Sequence, residues 1–565
     1  LGTGAMLVLA AGWVLETESG LEFVRVRGER LLAARVHGRL HIGRIRGSLL
    51  GEPTIDSLEI RDADDSVLVA TGRISLRFDL IDLWDKRIVL QRVDVQHPYV
   101  HFRHDADGTW NYKKVFASSG RSALPSVGRK LGDEIVLDSV TLRDAQFSWT
   151  DPWTPSDWLE GAQRDSAIKA NLERADSEVR RGATGFVKTR HWRALQLDVP
   201  HARIKHPDTA GVAVALARLD VDESDPPFTI RGARGTIRIV NDTVRLALDS
   251  FHLPGSSGSA KGVLLTKRGL GVRVRVVADS VSLADIAWLY PTFPTEGGGR
   301  MILDVRKDST NAHTDYVLTR MDVRSTRSRL TGAMTFGVGE ELLALTAVDI
   351  DLAPVDFKLI ERFSGAPLSL PFAGQLRGHV RGRGGPLNRF VVDSAGIDYV
   401  DANVPGVVNR FSGRGELDIV RPAFAQFHDF ALDVQHFDLR TAQALNKTFP
   451  PWKGWIFGNL RLDSLWSDVR VRDGDIRYAA DAASVSRFTG GGRLTVGDVE
   501  MTYDLALVAD SLKLDALALT YPAFGLRGTV AGPFTMKGTM GDLFVTGDLA
   551  GPGGRARTAD MHLDA

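Results

Sequence analysis

Cysteine is absent from the 565 residues of this chain. Its absence excludes a disulfide framework and any zinc site built from thiolates. The chain also lacks an excess of either charge, because 70 Lys and Arg residues balance 70 Asp and Glu residues. Nucleic-acid binding requires a basic excess, so this balance argues against a nucleic-acid partner. With 43% hydrophobic and 25% charged residues, the composition is that of a folded protein.

Signatures of catalysis are missing as well. No Gly-x-Ser-x-Gly nucleophile elbow occurs. The glycine clusters at 297–299 and 490–492 lack the following helix and the Lys-Ser/Thr pair of a phosphate-binding loop, so we expect flexible turns or bulges there. These observations favour a protein that is not an enzyme and that binds no cofactor.

Three histidines, His97, His101 and His104, resemble a set of metal ligands at first sight. On a strand, His97 and His101 share a face about 13 Å apart, whereas His104 points to the opposite face. Zinc requires every ligand about 2 Å from one centre, so we predict exposed strand histidines and no metal site. Residues 105–108 hint at a calcium loop, but Trp110 stands where such a loop needs glycine, so we predict a hairpin turn.

The first 15 residues are uncharged and mostly apolar. This run is shorter than the ~20 residues that cross a bilayer. We expect residues 1–20 to be the surviving end of a truncated membrane anchor; a buried helix or part of a signal segment are the alternatives. The sequence stops just after a repeat has begun, so we also expect a chain truncated at its C-terminus.

Beyond this run, the dominant signal is alternation of apolar and polar residues. Val272, Val274 and Val276 alternate with Arg273 and Arg275. Such alternation predicts strands with one apolar and one solvated face. Turn dipeptides at short intervals indicate an antiparallel meander.

A module recurs through the second half of the chain, with copies that begin near residues 278, 351, 437 and 509. Each copy predicts the end of a strand, one or two helical turns, a Pro or Gly stop and then Gly-rich strands. Copies spaced by roughly 70–90 residues are typical of a repeat architecture. A repeated element favours a long surface with one task along its length over a single catalytic pocket.

The apolar strand faces must be buried against something. We predict a mainly β protein: a long antiparallel sheet curled along its length into a repeating, taco-like groove, with short helices. A narrow curl would pack itself shut, whereas a wide one would leave a trough that acyl chains could fill. The sequence does not fix the width.

The predicted organisation has four parts: residues 1–20 as anchor, 21–117 as an N-terminal β domain, 118–190 as linker and charged helix, and 191–565 as the β-groove body. The linker is placed near 118–133, and the helix is predicted to run from Pro155 to Arg181. Trp149, Trp153 and Trp158 are expected to pack at a domain junction; a membrane surface is the alternative.

The N-terminal part carries three short motifs. They are HIGRIRGSLLGEPTIDSLEIRDAD (41–64), LQRVDVQHPYVHF (90–102) and DADGTWN (105–111). Together they resemble the start of the AsmA-like family, and most closely its TamB group, the translocation and assembly module proteins. The chain departs from the family pattern at Asp65, where the first turn usually carries glycine.

This resemblance implies an inner-membrane protein with a single N-terminal anchor, whose bulk lies in the periplasm of a double-membraned bacterium. It implies the curled sheet and hydrophobic groove of bridge-like lipid transfer proteins. The expected partners are phospholipid acyl chains, the inner membrane and, for TamB, an outer-membrane barrel protein.

We therefore predict a lipid conduit toward the outer membrane. The candidate groove residues are Val272, Val274, Val276, Leu460, Leu462, Leu494, Val496, Met501, Tyr503 and Leu505. The arginine-rich strand at 377–383 is predicted to lie on the solvated outer face, with lipid headgroups or acidic partners as the alternative. Rival functions are a TamB-type assembly factor that offers a sheet edge to outer-membrane proteins, and, more distantly, a secreted β-solenoid adhesin.

Overall fold

A computed structural model describes most of the chain. The described residues are 16–33, 36–49, 51–78, 88–105, 107–116, 134–155, 159–173, 178–205, 211–224, 227–266, 270–289, 294–308, 313–339, 343–364, 371–384, 389–418, 425–447, 449, 451–496, 501–520, 525, 527–539, 542–552 and 554–564. The apolar run 1–15, the predicted linker 118–133 and Trp158 lie outside these ranges.

Helices are short and few among the described residues. They are α1 (Glu18–Ala33), α2 (Asn111–Val115), α3 (Gly161–Glu173), the 3₁₀ helix η1 (Leu283–Leu289), α4 (Phe357–Ser364), α5 (Leu439–Leu445) and α6 (Leu514–Thr520).

Strands make up most of the described residues. The first group is β1 (Arg39–Ile42), β2 (Ile45–Arg46), β3 (Thr54–Ile55), β4 (Leu58–Arg61), β5 (Val67–Thr71), β6 (Ile74–Phe78), β7 (Ile88–Gln96), β8 (Tyr99–Arg103), β9 (Glu134–Leu137), β10 (Val140–Trp153), β11 (Val179–Gly182), β12 (Gly185–Val199) and β13 (His201–Lys205). The second group is β14 (Val212–Ser224), β15 (Pro227–Val240), β16 (Thr243–His252), β17 (Ser257–Leu265), β18 (Gly271–Ser282), β19 (Gly298–Lys307), β20 (Thr314–Ser325), β21 (Ser328–Val338), β22 (Leu343–Asp356), β23 (Gly374–Gly384), β24 (Phe390–Asp401), β25 (Val408–Asp418), β26 (Gln426–Asp438), β27 (Trp455–Leu465), β28 (Asp468–Ala479), β29 (Val485–Val496), β30 (Met501–Lys513), β31 (Thr529–Thr539), β32 (Asp542–Gly551) and β33 (Gly554–Asp564).

All 33 of these strands belong to one sheet, which confirms the prediction of a mainly β protein with a long sheet and short helices. Neighbours in sequence pair antiparallel from β14 to β18 and from β21 to β33. Parallel pairs occur near the N-terminus, where β10 runs parallel to β7 and β8, and β9 runs parallel to β7. Because parallel neighbours need a crossover, the chain between β8 and β10 includes α2.

The chain forms two compact units. Unit 1 contains residues 1–281 with 302–316 and 339–341, and unit 2 contains 282–301, 317–338 and 342–565. The predicted four-part organisation stays a prediction. Within its 118–190 segment, the structure has strands β9, β10 and β11 in addition to the helix.

The predicted helix from Pro155 to Arg181 is shorter in the structure. Helix α3 begins at Gly161 and ends at Glu173. Val179 pairs with Lys188 of β12, so the end of the predicted helix is a strand instead. Pairing with a neighbouring strand has overridden the weak apolar face on which the helix prediction rested.

The four predicted modules are confirmed as strand-to-helix junctions. Helices η1, α4, α5 and α6 directly follow β18, β22, β26 and β30, so one helix occurs at every fourth strand. Three junctions share a backbone bond from the first helical N–H to a glycine carbonyl fourteen or fifteen residues later. These bonds are Leu283 to Gly297 (3.1 Å), Leu439 to Gly454 (3.0 Å) and Leu514 to Gly528 (2.9 Å).

A buried polar side chain on the preceding strand also secures three of these junctions. Each accepts a hydrogen bond from the last backbone N–H before its helix. The pairs are Ser328 with Asp356 (2.9 Å), Asn409 with Asp438 (2.8 Å) and Ser486 with Lys513 (3.0 Å). Because a buried N–H without a partner is costly, these side chains fix where the strand stops and the helix begins.

Candidate functional site

One face of the sheet in unit 2 carries an apolar strip. Its buried members are Val348, Phe390, Val392, Ala425, Phe427, Phe430, Leu462 and Val469. They come from β22, β24, β26, β27 and β28, together with Ala425 just before β26, and further apolar side chains of β21, β22 and β24 to β28 pack against them. The strip therefore draws side chains from seven strands, which is the burial that alternating apolar residues predict.

Strand register extends this apolar face further. A cross-strand row runs from Met334 on β21 to Val545 on β32. Its members are Met334, Val348, Gly382, Val392, Gly415, Phe430, Leu462, Val471, Gly492, Leu505, Met536 and Val545. The row contains no polar side chain.

Two of the three glycines in this row, Gly382 and Gly415, lie beneath aromatic side chains. A Cβ at Gly382 would stand 2.5 Å from the ring of Phe390, and one at Gly415 would stand 2.7 Å from the Cα of Phe430. Gly415 also has a φ of +144°, a conformation that glycine alone adopts readily. The glycines thus let bulky rings cover the sheet closely and let the strand bend.

The opposite face of the same strands carries cross-strand ion pairs. Arg493 donates to both carboxylate oxygens of Asp468 at 2.5 Å, and Arg487 donates to Asp475 at 2.9 Å. Hydrogen bonding by these arginines holds the pKa of Asp468 and of Asp475 below the usual range. The two faces of the sheet in unit 2 therefore differ: one carries apolar side chains and the other carries ion pairs.

The outer-face prediction for residues 377–383 is confirmed. Arg377, His379, Arg381 and Arg383 are all exposed. His379 lies 2.8 Å from a carboxylate oxygen of Asp351. Part of the positive charge of this strand is therefore paired with carboxylates of the neighbouring strand.

Six of the ten candidate groove residues lie in the apolar clusters of unit 2. Leu462 belongs to the strip and Leu460 packs against it. The other four form a second cluster around the buried pair Tyr503 and Leu543. Its candidate members are Leu494, Met501, Tyr503 and Leu505. The side chain of Val496 lies outside the described part, although its backbone pairs with Met501.

The three candidate valines lie in unit 1, on β18. All three are half-buried, while Arg273 and Arg275 between them are exposed, which confirms their alternation. Val276 pairs with Ala260, and register leads from there through Leu248 to Leu216. Leu216 and Leu248 belong to the apolar cluster of unit 1. The valines thus share a face with that cluster, but they are not part of it.

Unit 1 also has an interior that the sequence analysis missed. On one face of β8, β10 and β12, aromatic rings stand next to charged groups. Phe147 stacks on Trp192 at 4.8 Å, and Trp149 contacts Trp110 at 4.5 Å. Between the rings, Asp151 lies 3.4 Å from Arg190 and accepts a hydrogen bond from Trp149.

Burial raises the pKa of Asp151, although the Arg190 guanidinium and the Trp149 indole act in the opposite direction. One of its carboxylate oxygens is buried and has no hydrogen-bond partner among the described residues. Lys188 and Glu223 are also buried on this face. The Trp-Thr-Asp-Pro-Trp segment at 149–153 could have indicated this charged interior from the sequence. On a strand, Asp151 must lie on the same face as the two tryptophans that stand two residues before and after it.

The tryptophan contacts lie within unit 1, so the predicted domain junction stays a prediction. Trp149 packs against Trp110, which belongs to the DADGTWN motif, and Trp153 packs against Phe186 at 6.0 Å. The Trp110 indole donates to the carbonyl of Thr266 at 2.7 Å. The motif therefore ties the start of unit 1 to the turn between β17 and β18.

The three histidines have separate environments. His97 is exposed and lies 2.9 Å from Asp144, whereas His101 is half-buried and bonds Thr150 at 2.9 Å. His104 is buried against the ring of Trp110 at 4.6 Å. The prediction of exposed strand histidines is therefore confirmed for His97 and wrong for His101 and His104. The hairpin turn between His104 and Trp110 removes His104 from solvent. The turn itself is confirmed by the bond from the N–H of Gly108 to the carbonyl of Asp105 (2.9 Å).

Helix α1 presents a surface of mixed apolar and charged side chains. Leu21 is buried, and Arg25 and Glu29 bond the backbone of Ile42, so the helix is fixed to β1. Its exposed side carries Phe23 and Leu31 together with arginines at positions 27 and 30. Among the described residues, no helix has both the length and the apolar character needed to cross a membrane.

No known protein family, curated protein or solved structure matches this chain. The likeness to AsmA-like proteins therefore rests on the short motifs alone.

Proposed function

We propose that this chain is a non-enzymatic conduit for phospholipid. Acyl chains would lie along the apolar face while headgroups stay in water. By its resemblance to AsmA-like proteins, the chain would be anchored in the inner membrane and would carry lipid across the periplasm toward the outer membrane.

The observation that carries this proposal is the one-sided sheet of unit 2. A row free of polar side chains crosses β21 to β32, and no second sheet covers it among the described residues. The members of this row are buried or half-buried and none is exposed, so they line an apolar interior rather than a wet surface. A concave, mostly apolar lining is typical of a binding site for an apolar ligand. A row this long suits an elongated, flexible and apolar occupant better than a compact ligand.

Energetics support sliding rather than tight binding. Burial of acyl chain contributes ~0.8 kcal/mol per CH₂ in gross terms. Because Val, Leu, Met and Gly repeat along the row, neighbouring positions offer similar contacts. A lipid that moves by one position exchanges equal contacts, so no deep minimum holds it.

Helix α1 supports a position near a membrane. Its three glutamates balance its three arginines, so its charge does not favour anionic lipids. Its exposed side carries Phe23 and Leu31, and exposed apolar side chains of this kind favour the surface of a bilayer. The apolar run 1–15 precedes it in the sequence.

The test uses adjacent residues on opposite faces of β30, because Leu505 belongs to the apolar row and Ala506 is exposed. Leu505→Asp places a charge in the row, where it should weaken lipid binding by more than tenfold, because an unpaired carboxylate is costly beside acyl chains. Ala506→Asp places the same charge on the outer face and should leave binding unchanged. Lipid retained by the purified full chain is measured by mass spectrometry, and transfer between vesicles by fluorescence.

Both variants must remain folded, as circular dichroism will show. Equal lipid content and equal transfer in the two folded variants would contradict the conduit. Absence of any co-purified lipid from the unmodified chain would contradict it as well.

A further inference from the structure

Strand ends in unit 2 form two rims. The helix rim contains the junctions with α4, α5 and α6, which follow even-numbered strands. The hairpin rim contains the turns that follow odd-numbered strands, such as the turn between β27 and β28. A straight strand of 11 residues, such as β23, would hold the two rims about 36 Å apart.

One aromatic ring nevertheless touches both rims. Phe372 precedes β23 on the helix rim, where its ring centroid lies 5.1 Å from Phe357 and 6.0 Å from Tyr399. The same ring lies 6.1 Å from Trp466, which is in the turn between β27 and β28 on the hairpin rim. Trp466 itself packs against the apolar strip. The sheet must therefore fold over enough for a single side chain to bridge its two edges.

The next repeat has the same arrangement. Phe449 follows α5 and packs against the helix-rim cluster of Leu439, Tyr478 and Ala516. It also packs against the cluster of Tyr503 and Leu543, which lie at the starts of β30 and β32 on the hairpin rim. Both phenylalanines thus reach the hairpin rim three to five strands further along the sheet.

Equivalent hydrogen bonds hold both segments to the helix rim. The hydroxyl of Tyr399 donates to the carbonyl of Ala373 at 2.9 Å, and that of Tyr478 donates to the carbonyl of Lys453 at 2.9 Å. The Asn403 amide donates to the carbonyl of Pro371 at 3.1 Å. A contact anchored in this way in two successive repeats is part of the repeat itself.

We propose that Phe372 and Phe449 are crossbars that close the mouth of the groove at two points. This inference rests on the conduit proposed above. Lipid passes beneath the crossbars along the apolar row, and it cannot enter or leave sideways where they stand. The crossbars therefore determine where along unit 2 a phospholipid, with its bulky headgroup, gains access.

The absence of cysteine allows a clean test in the full chain. Phe372→Cys with Trp466→Cys is joined by a short bis-maleimide, which fixes the crossbar in place. We expect efficient cross-linking of residues 372 and 466. The rate of lipid transfer should stay within about twofold of that of the protein without the cross-link, because a crossbar that does not open during transfer is unaffected when it is fixed in place. Asp398→Cys with Arg410→Cys, an outer-face pair 2.9 Å apart, is the matched control.

A second variant opens the mouth. Phe372→Ala with Phe449→Ala should exchange bound lipid with vesicles several-fold faster than the unmodified chain, because lateral exit becomes possible.

Each outcome separates the crossbars from the conduit. Efficient cross-linking with complete loss of transfer would show that lipid enters at Phe372. That result would contradict the crossbar proposal and leave the conduit proposal intact. Failure to join residues 372 and 466 when the control pair joins would overturn the contact. Unchanged exchange in the double alanine variant would also overturn the crossbars. Absence of lipid from every variant would refute the conduit and, with it, this role.

Discussion

Two interiors on the same sheet differ in chemistry. In unit 2, the row from Met334 to Val545 contains only apolar side chains and glycine. In unit 1, the facing rows of β10 and β12 pair Trp149 with Arg190 and Asp151 with Lys188. The first interior is uniform along its length, whereas the second places specific partners at specific positions.

This difference shows that one architecture holds two kinds of interior. Charged and aromatic groups fix a unique arrangement, because a buried charge is stable only beside its partner. Such an interior suits the joint where Trp110 meets Thr266. An apolar row offers no directional contact, so it suits an occupant that must move.

The largest expected effect comes from breaking the apolar interior. Phe430 is 8% exposed and covers two glycines, so Phe430→Ala should lower the free energy of unfolding of unit 2 by about 3–5 kcal/mol. Phe544→Ala is the matched control, because Phe544 is 44% exposed. Urea unfolding followed by hydrogen exchange in β24 to β28 measures both. Similar losses in the two variants would contradict one-sided burial.

Much of the sheet, in both units, could be predicted from the sequence. The alternation of Val272, Arg273 and Val274 gave the correct faces, because residues two apart on a strand must point the same way. The four modules gave the correct helices, because a Pro or Gly stop after a short apolar segment leaves room for only one or two turns.

The remainder depends on register, which alternation does not determine. Bulges shift the pairing near Asp429, whose φ is +48°, and so place Phe430 over Gly415. The contact between Phe372 and Trp466 joins residues on opposite rims, and no local pattern indicates it. His104 was misplaced for a similar reason, since the turn that buries it acts through Trp110.

The charged interior of unit 1 can be altered at Asp151. Burial raises its pKa, so the folded chain binds this proton more tightly than the unfolded chain does. Stability contributed by protonation is present below the unfolded value near 3.9 and is lost as the pH rises through the folded pKa. Asp151→Asn mimics the protonated form and should therefore raise the unfolding midpoint of unit 1 at pH 7 and remove this pH dependence. A lower midpoint would mean that the ion pair with Arg190 outweighs burial.

The smallest expected effect concerns the outer face, where the sign is opposite. Hydrogen bonding by Arg493 lowers the pKa of Asp468, so the stability that this carboxylate contributes is present above about pH 3.9 and is lost as the pH falls through its folded pKa. Asp468→Asn should cost less than about 1 kcal/mol at pH 7, because the pair is close to solvent. Unfolding of unit 2 measured from pH 7 to pH 3 should converge for the variant and the unmodified chain at the acid end. If the variant and the unmodified chain have equal free energies of unfolding at neutral pH instead, the outer ion pairs contribute solubility rather than stability. The side-chain contribution to the stability of these strands would then come from the apolar row.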